Sequence, residues 1–183
     1  MPKAICYFAP GLEECEGLVT VDLLRRAGVE VTIAAVSEDL LITGAHGIAI
    51  RCDASADRCE AGGYDAVILP GGMPGTEHLY ASETVTDTVK RFAADGRLVA
   101  AICAAPTVPG RLGLLEGKRA TCYPGCEDQL SGAEHVDAEA VTDGNFITAS
   151  GLGAAIPFAL AIIAALLGDA AAARVKQSIV YRH

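Results

Sequence analysis

Short apolar runs alternate with amphipathic ones along this chain, and the alternation reads as strand and helix in turn. Ala4 to Ala9 (AICYFA) is continuously apolar between Lys3 and Pro10, the pattern of a buried strand. Cys15 to Ala27 has Leu18, Val19, Leu23 and Leu24 near one face and Asp22, Arg25 and Arg26 towards the other, which predicts a helix that Gly28 ends. Val29 to Val36, rich in β-branched residues, predicts a second strand, and the resulting βαβ unit implies parallel pairing with a right-handed crossover. Leu40 to Cys52 reads as a hairpin around Thr43-Gly44 and His46-Gly47. Ala66 to Leu69 (AVIL) is another buried strand, ending in Pro70-Gly71-Gly72. Glu83 to Ala94 reads as a helix with Ser82 as its N-cap, and Leu98 to Ile102 as the strand that feeds Cys103. Arg119 to Cys122 predicts a short strand, and His135 to Val141 and Phe146 to Ala149 flank the turn signal Asp143-Gly144. Two helices close the chain, Ala154 to Leu167 and Asp169 to Gln177, split by Gly168; Pro157 falls in the first turn of the former, where proline is tolerated. The fold class expected is α/β, a sandwich of a mostly parallel sheet with helices on both faces.

Length and composition narrow the function. A chain of 183 residues fits one domain, 1–183, and 51% apolar residues exclude a disordered chain. The net charge of -9 repels phosphate backbones, so nucleic acid is not expected as a primary partner. The longest greasy run, Ala154 to Leu167, is shorter than the ~20 residues a membrane span needs, so no membrane association is expected. The opening MPKAICYFAPG is interrupted too early by Pro10 and Gly11 for an export signal, and the seven cysteines read as reduced thiols in the cytoplasm. Cys122-x-x-x-Cys126 has no histidine nearby, so no metal is expected.

In open α/β sheets ligands bind beyond the carboxyl ends of the strands. Three strand ends carry unusual sequence: GLEECEG after the first, Pro70-Gly71-Gly72 after the one at residue 66, and Cys103-Ala104 after the one at residue 98. A cysteine where a strand turns into a helix sits on a sharp elbow, with small neighbours Ala101, Ala104 and Ala105 making room. A helix end would favour the thiolate and lower its pKa. The plainer alternative is that Cys103 is a small apolar core residue. Gly71-Gly72 lets backbone amides approach a ligand, and an amide there with that of Ala104 would make an oxyanion hole; a plain turn is the alternative. Glu13, Glu14 and Glu16 open a helix, where acids offset its dipole, and one of them turned inward would serve as general acid and base. Spacing does not choose among the three. The histidines at 46, 78, 135 and 183 lie outside these loops, which disfavours a Cys-His protease; His46, in the hairpin, is the one to watch.

GLEECEG, LPGGMPG and AAICAAP, in this order, resemble the DJ-1/ThiJ/PfpI superfamily, in its DJ-1/ThiJ-like branch, and the similarity extends through FALAIIAAL and VKQSIV. The resemblance implies a flavodoxin-like three-layer α/β sandwich that forms a homodimer. It implies that Cys103 is the elbow nucleophile, that Glu16 is the protonated acid bonded to its sulfur, and that Gly72 and Ala104 supply the oxyanion-hole amides. The family's Thr-His-Pro segment reads Thr121-Cys122-Tyr123-Pro124 here, so Tyr123 stands in the histidine's place. An arginine that lines the pocket in some members falls at Ser150, and another, near the dimer contact in some members, falls at His46, a further candidate pocket residue. Protease-like members carry a histidine directly after the cysteine, where this chain has Ala104. The implied activity is a cofactor-independent glyoxalase or deglycase acting on methylglyoxal-type dicarbonyls or their thiol and amine adducts. The competing expectation is a redox sensor or chaperone whose Cys103 is oxidised to sulfinate, and a dimer with a relic site is a third.

Overall fold

The computed structural model describes residues 1–182; His183 lies outside them. β1 (Lys3–Phe8), α1 (Glu14–Ala27) and β2 (Glu30–Ala35) form the expected βαβ unit, with Lys3 opposite Glu30 and Phe8 opposite Ala35 in a parallel pair. β3 (Leu41–Thr43) and β4 (Ala49–Arg51) are the arms of the expected hairpin, and β5 (Ala54–Ser55) adds an edge strand. β6 (Ala66–Leu69) leads into α2 (Gly75–Ala81) and α3 (Glu83–Ala94), and β7 (Leu98–Ile102) ends at Cys103. Beyond it come α4 (Thr107–Arg111), β8 (Arg119–Ala120), β9 (Glu134–His135), β10 (Ala140–Asp143) and β11 (Phe146–Ala149). α5 (Ala155–Leu167) and α6 (Asp169–Ser178) close the chain.

The main sheet has seven strands in the order β10-β11-β7-β6-β1-β2-β5. Its pairs are parallel except the β10–β11 hairpin. The strands at its centre are buried along almost their whole length, which is why they read as unbroken apolar runs rather than alternating ones. Residue parity divides their side chains between two cores. Cys6, Phe8, Ile68, Ala100 and Ile102 pack with Leu24, Phe158 and Ile162 from α1 and α5. Ile5, Tyr7, Val67, Leu69 and Val99 pack on the other face with Val89, Phe92 and Val108 from α3 and α4. The result is the expected three-layer sandwich.

The chain runs from β1 to β2 on one side and then restarts at β6 on the other. The loops after β1 and β6 therefore part at a switch point, where ligand crevices form, and β7 places Cys103 one strand further on. Gly17 sets the height of α1 above this edge. A Cβ there would lie 2.6 Å from Cζ and 2.9 Å from Cε1 of the buried Phe8 ring. Gly17→Ala is expected to lower stability by about 1–2 kcal/mol, since overpacking outweighs the gain in helix propensity. A shift of the urea midpoint to lower concentration checks this; an unchanged or raised midpoint refutes it.

Some expectations fail locally. α2 was not foreseen, because GTEHLYA has no apolar period to reveal it. The strands predicted over Arg119 to Cys122 and His135 to Val141 shrink to β8 and β9, plus β10, because they pair in a small separate sheet or at the rim. The helix expected directly after Cys103 starts four residues later, beyond a turn over residues 103–106, and has only five residues.

Candidate active site

Each of the clustered acids has its own task. Glu13 is the N-cap of α1, its carboxylate accepting the Glu16 backbone N–H at 2.7 Å. Glu14 turns away to the β3–β4 hairpin, although it too is buried. It accepts the His46 amide at 2.8 Å and the Ile48 amide at 3.3 Å, and its Oε2 lies 2.9 Å from His46 Nδ1. Burial raises the Glu14 pKa, but the bonds from the His46 ring and from backbone amides outweigh it and hold the carboxyl down to about 2. Glu16 points into the crevice, where Oε2 accepts the Gly71 amide at 2.9 Å and Oε1 is buried without a hydrogen-bond partner.

The elbow itself comes from backbone geometry. Cys103 has φ 65°, a left-handed conformation that few residues other than glycine adopt and that costs about 1–2 kcal/mol. It is anchored on both sides: its N–H donates to the Ala149 carbonyl at 2.8 Å, and its carbonyl accepts the Tyr123 amide at 2.8 Å. Only a glycine fits opposite, since a Cβ on Gly71 would lie 2.6 Å from Cys103 Cβ and 2.7 Å from Glu16 Oε2. The loops are tied together by the Glu13 amide donating to the Gly71 carbonyl at 2.9 Å and the Gly75 amide to the Gly11 carbonyl at 3.1 Å. Gly72 has φ +89°, and a Cβ there would meet Glu13 N at 2.2 Å, so the close approach of these backbones also excludes a side chain.

Burial pushes the Glu16 carboxyl up to about 7, even though the Cys103 thiol and the Gly71 amide favour its charged form. Burial, and after it the charge of Glu16, push the Cys103 thiol up to about 12, against the backbone amides of Gly72 and Ala104, which favour the thiolate. The thiol pKa lowered by a helix end, expected from the sequence, is thus not found. α4 begins too far along the chain to act, and the nearest charge is a carboxylate. Burial resists both ionisations and the Glu16 charge adds to the resistance of the thiol, so the pair holds one proton between about 7 and about 12.

The crevice opens into a cavity of about 260 Å³, lined by Gly72, Met73, Thr76, Glu77, Cys103, Ala104, Thr107, Tyr123, Cys126 and Gln129. Of the residues singled out in the sequence, Cys103, Gly72, Ala104 and Tyr123 line it. Gly71 lies behind, holding Glu16 rather than facing the cavity. His46 and Ser150 are not among the lining residues; His46 is engaged with Glu14, and the Ser150 amide donates to the Glu139 carbonyl at 3.0 Å. Sequence reasoning missed Thr76, Glu77, Cys126 and Gln129, which lie on α2 or in the loop after β8, segments without a periodic signal. Arg111 of α4 holds Glu77 at 3.2 Å while stacking over Tyr80 at 3.7 Å, which fixes the carboxylate at the cavity wall.

Spacing also gave no sign that Glu13, Glu14 and His46 converge, with a ligand atom from each within 4.8 Å of the others. These are the residues that could hold a metal ion, although their hydrogen bonds already serve to fasten the hairpin to α1. Among the described residues no helix is long and apolar enough to cross a membrane.

The DJ-1/PfpI family model matches residues 2–165. The chain is similar to the DJ-1 homolog B of Arabidopsis thaliana, 37% identical over 98% of this chain; the match spans 42% of that longer protein. It is similar to a protein named a deglycase from Pyrococcus horikoshii, 33% identical over 80% of this chain and 88% of the relative. Its fold is similar to the solved structure of oxidised DJ-1 from Toxoplasma gondii, with a TM-score of 0.96 and 33% identity, covering 100% of both chains.

Proposed function

Because the chain belongs to the DJ-1/PfpI family, we propose that it is a cofactor-independent glyoxalase or deglycase acting on small dicarbonyls such as methylglyoxal or on their thiol and amine adducts. The observation that carries this reading is the pair of Cys103 and Glu16, two groups that share a proton above about pH 7, set beside a cavity of about 260 Å³. A cavity of this size suits a molecule of a few heavy atoms better than a drug-sized ligand.

Above about pH 7 the shared proton rests on the thiol, and the reactive form is the minor arrangement in which it has passed to Glu16 and left the sulfur a thiolate. The Gly72 and Ala104 amides favour the thiolate, and Oε1 of Glu16, buried without a hydrogen-bond partner, offers the proton a place. A bare carboxylate oxygen in that position is costly, and the protonated carboxyl avoids the cost. The thiolate attacks the aldehyde carbon of methylglyoxal, and the resulting hemithioacetal oxygen is held by the Gly72 and Ala104 amides. Glu16 gives its proton to that oxygen, and the carboxylate so formed takes the proton from the attacked carbon and returns it to the neighbouring one, while the hydroxyl proton passes to the neighbouring oxygen. The lactoyl thioester on Cys103 is opened by water to lactate and free thiol. One carbon is oxidised and its neighbour reduced, so no external electron carrier is needed.

Lactate release from methylglyoxal without added cofactor is the test. Its kcat/KM is expected to rise through about pH 7, as the pair gives up its first proton. A profile that is flat through this range refutes the shared-proton mechanism.

A second reading is favoured by the same acid: a carboxyl proton beside an oxidised sulfur stabilises sulfinate. Peroxide should then add two oxygens at Cys103 ahead of the buried Cys6, Cys52 and Cys122. Intact-mass and peptide analysis would read this out, and oxidation spread evenly over the cysteines would remove the reading.

A further inference from the structure

Buried threonines on the helices of this protein follow one habit. Thr20 donates to the Glu16 carbonyl at 2.7 Å, Thr88 to Thr84 at 2.7 Å and Thr107 to Ala104 at 2.7 Å, and Thr86 reaches the Ser82 and Glu83 carbonyls at 3.2 Å. Each hydroxyl is satisfied by a carbonyl three or four residues back, the usual solution for threonine in a helix. Thr76 departs from it. It is 1% exposed and its hydroxyl is buried with no hydrogen-bond partner, although the Gly72 carbonyl four residues back accepts its backbone N–H at 2.9 Å. Thr76 also lines the cavity that holds Cys103.

A hydroxyl kept from water with no partner is rare enough in a folded protein to need a reason. A valine would fill the same volume without the penalty. Threonine has two favoured χ1 wells in a helix, and a turn between them exchanges hydroxyl and methyl without moving the backbone. The groups that line the cavity with Thr76 include the thiol and the Gly72 and Ala104 amides, and these amides are committed to the carbon that the sulfur attacks. No group so far described serves the second oxygen of a dicarbonyl.

We propose that Thr76 is a substrate-binding residue whose hydroxyl donates a hydrogen bond to the oxygen on the carbon next to the one attacked by Cys103. In the bound state the orphan hydroxyl gains its partner, and the ligand oxygen, which gathers negative charge as the proton leaves its neighbour, is held throughout the transfer. The assignment rests on the glyoxalase reading of the site and adds to it the group that distinguishes a dicarbonyl from a simple aldehyde.

The test compares the unsubstituted protein with Thr76→Val and Thr76→Ser. Methylglyoxal is the ligand, and its apparent affinity is read from protection of Cys103 against iodoacetamide, with turnover measured in parallel. Thr76→Val is expected to weaken protection and to lower kcat/KM by about tenfold or more, Thr76→Ser to keep both within about threefold, and neither to lose thermal stability. Propionaldehyde, which lacks the second oxygen, should protect the valine variant and the unsubstituted protein equally. Undiminished methylglyoxal protection in Thr76→Val, or an equal loss with propionaldehyde, overturns the assignment. Normal protection without lactate overturns the glyoxalase reading and leaves the binding role of Thr76 to be decided by the same protection data. No protection of the unsubstituted protein overturns both.

Discussion

Cys103→Ala is expected to cut lactate formation from methylglyoxal by at least about 10³-fold while leaving the fold intact. The sulfur is the atom that bonds to the substrate in the proposed scheme, and no neighbour can take its place. Cys126 also lines the cavity, but it lies outside the turn that sets Cys103 beside Glu16 and the Gly72 and Ala104 backbone. The fold should survive because alanine keeps the Cβ that the elbow already accommodates, and because the anchoring bonds to Ala149 and from Tyr123 are made by the backbone. Thermal melting and activity are measured on the same preparation. Turnover surviving in a well-folded Cys103→Ala protein would remove the covalent mechanism.

Glu16→Gln should produce the opposite signs in stability and activity. The carboxyl has a folded-state pKa of about 7 against an ordinary 4.5, so the folded protein binds this proton more tightly than the unfolded chain does. Stability therefore falls as pH rises from 4.5 through about 7, by about 3 kcal/mol in total for this buried group. Glutamine does not ionise. Its carbonyl can accept the Gly71 amide in place of Oε2, so the variant is expected to escape the loss. Near pH 4 the two proteins should melt together; at pH 8 the variant should melt about 6–12 °C higher. The same variant loses the proton shuttle, and its turnover should drop by about 10²–10⁴-fold. Melting curves at the two pH values decide the matter, and a difference that does not grow with pH would mean that Glu16 is ionised in the folded protein well below neutrality.

How far the sequence alone leads depends on whether a feature is local. β1, β6 and β7 could be read because strands buried on both faces carry unbroken apolar runs such as AICYF, AVIL and LVAAI. The edge that carries the chemistry followed from their parallel order, and Cys103 stood out because an apolar strand ran straight into it. The tasks of Glu13, Glu14 and Glu16 could not be separated from spacing. One caps its own helix, one reaches a hairpin more than thirty positions away, and one meets Gly71 across the switch point. The direction of the Cys103 pKa was misjudged for a related reason. A helix terminus was inferred from the next few residues, whereas burial and the Glu16 carboxylate, contributed by distant parts of the chain, decide the outcome. Thr76 was invisible because an unpartnered hydroxyl is defined by what fails to approach it in space.

The single amide that clamps Glu16 has a stereochemical consequence. With Oε2 pinned by Gly71, the carboxyl cannot circle the sulfur, and it addresses whatever is bonded there from one side. An enediol formed on Cys103 is flat and has two mirror-related faces, of which only the one turned towards Glu16 can be protonated by it. In the proposed reaction the handedness of the lactate would therefore be set by a backbone N–H that never touches the substrate.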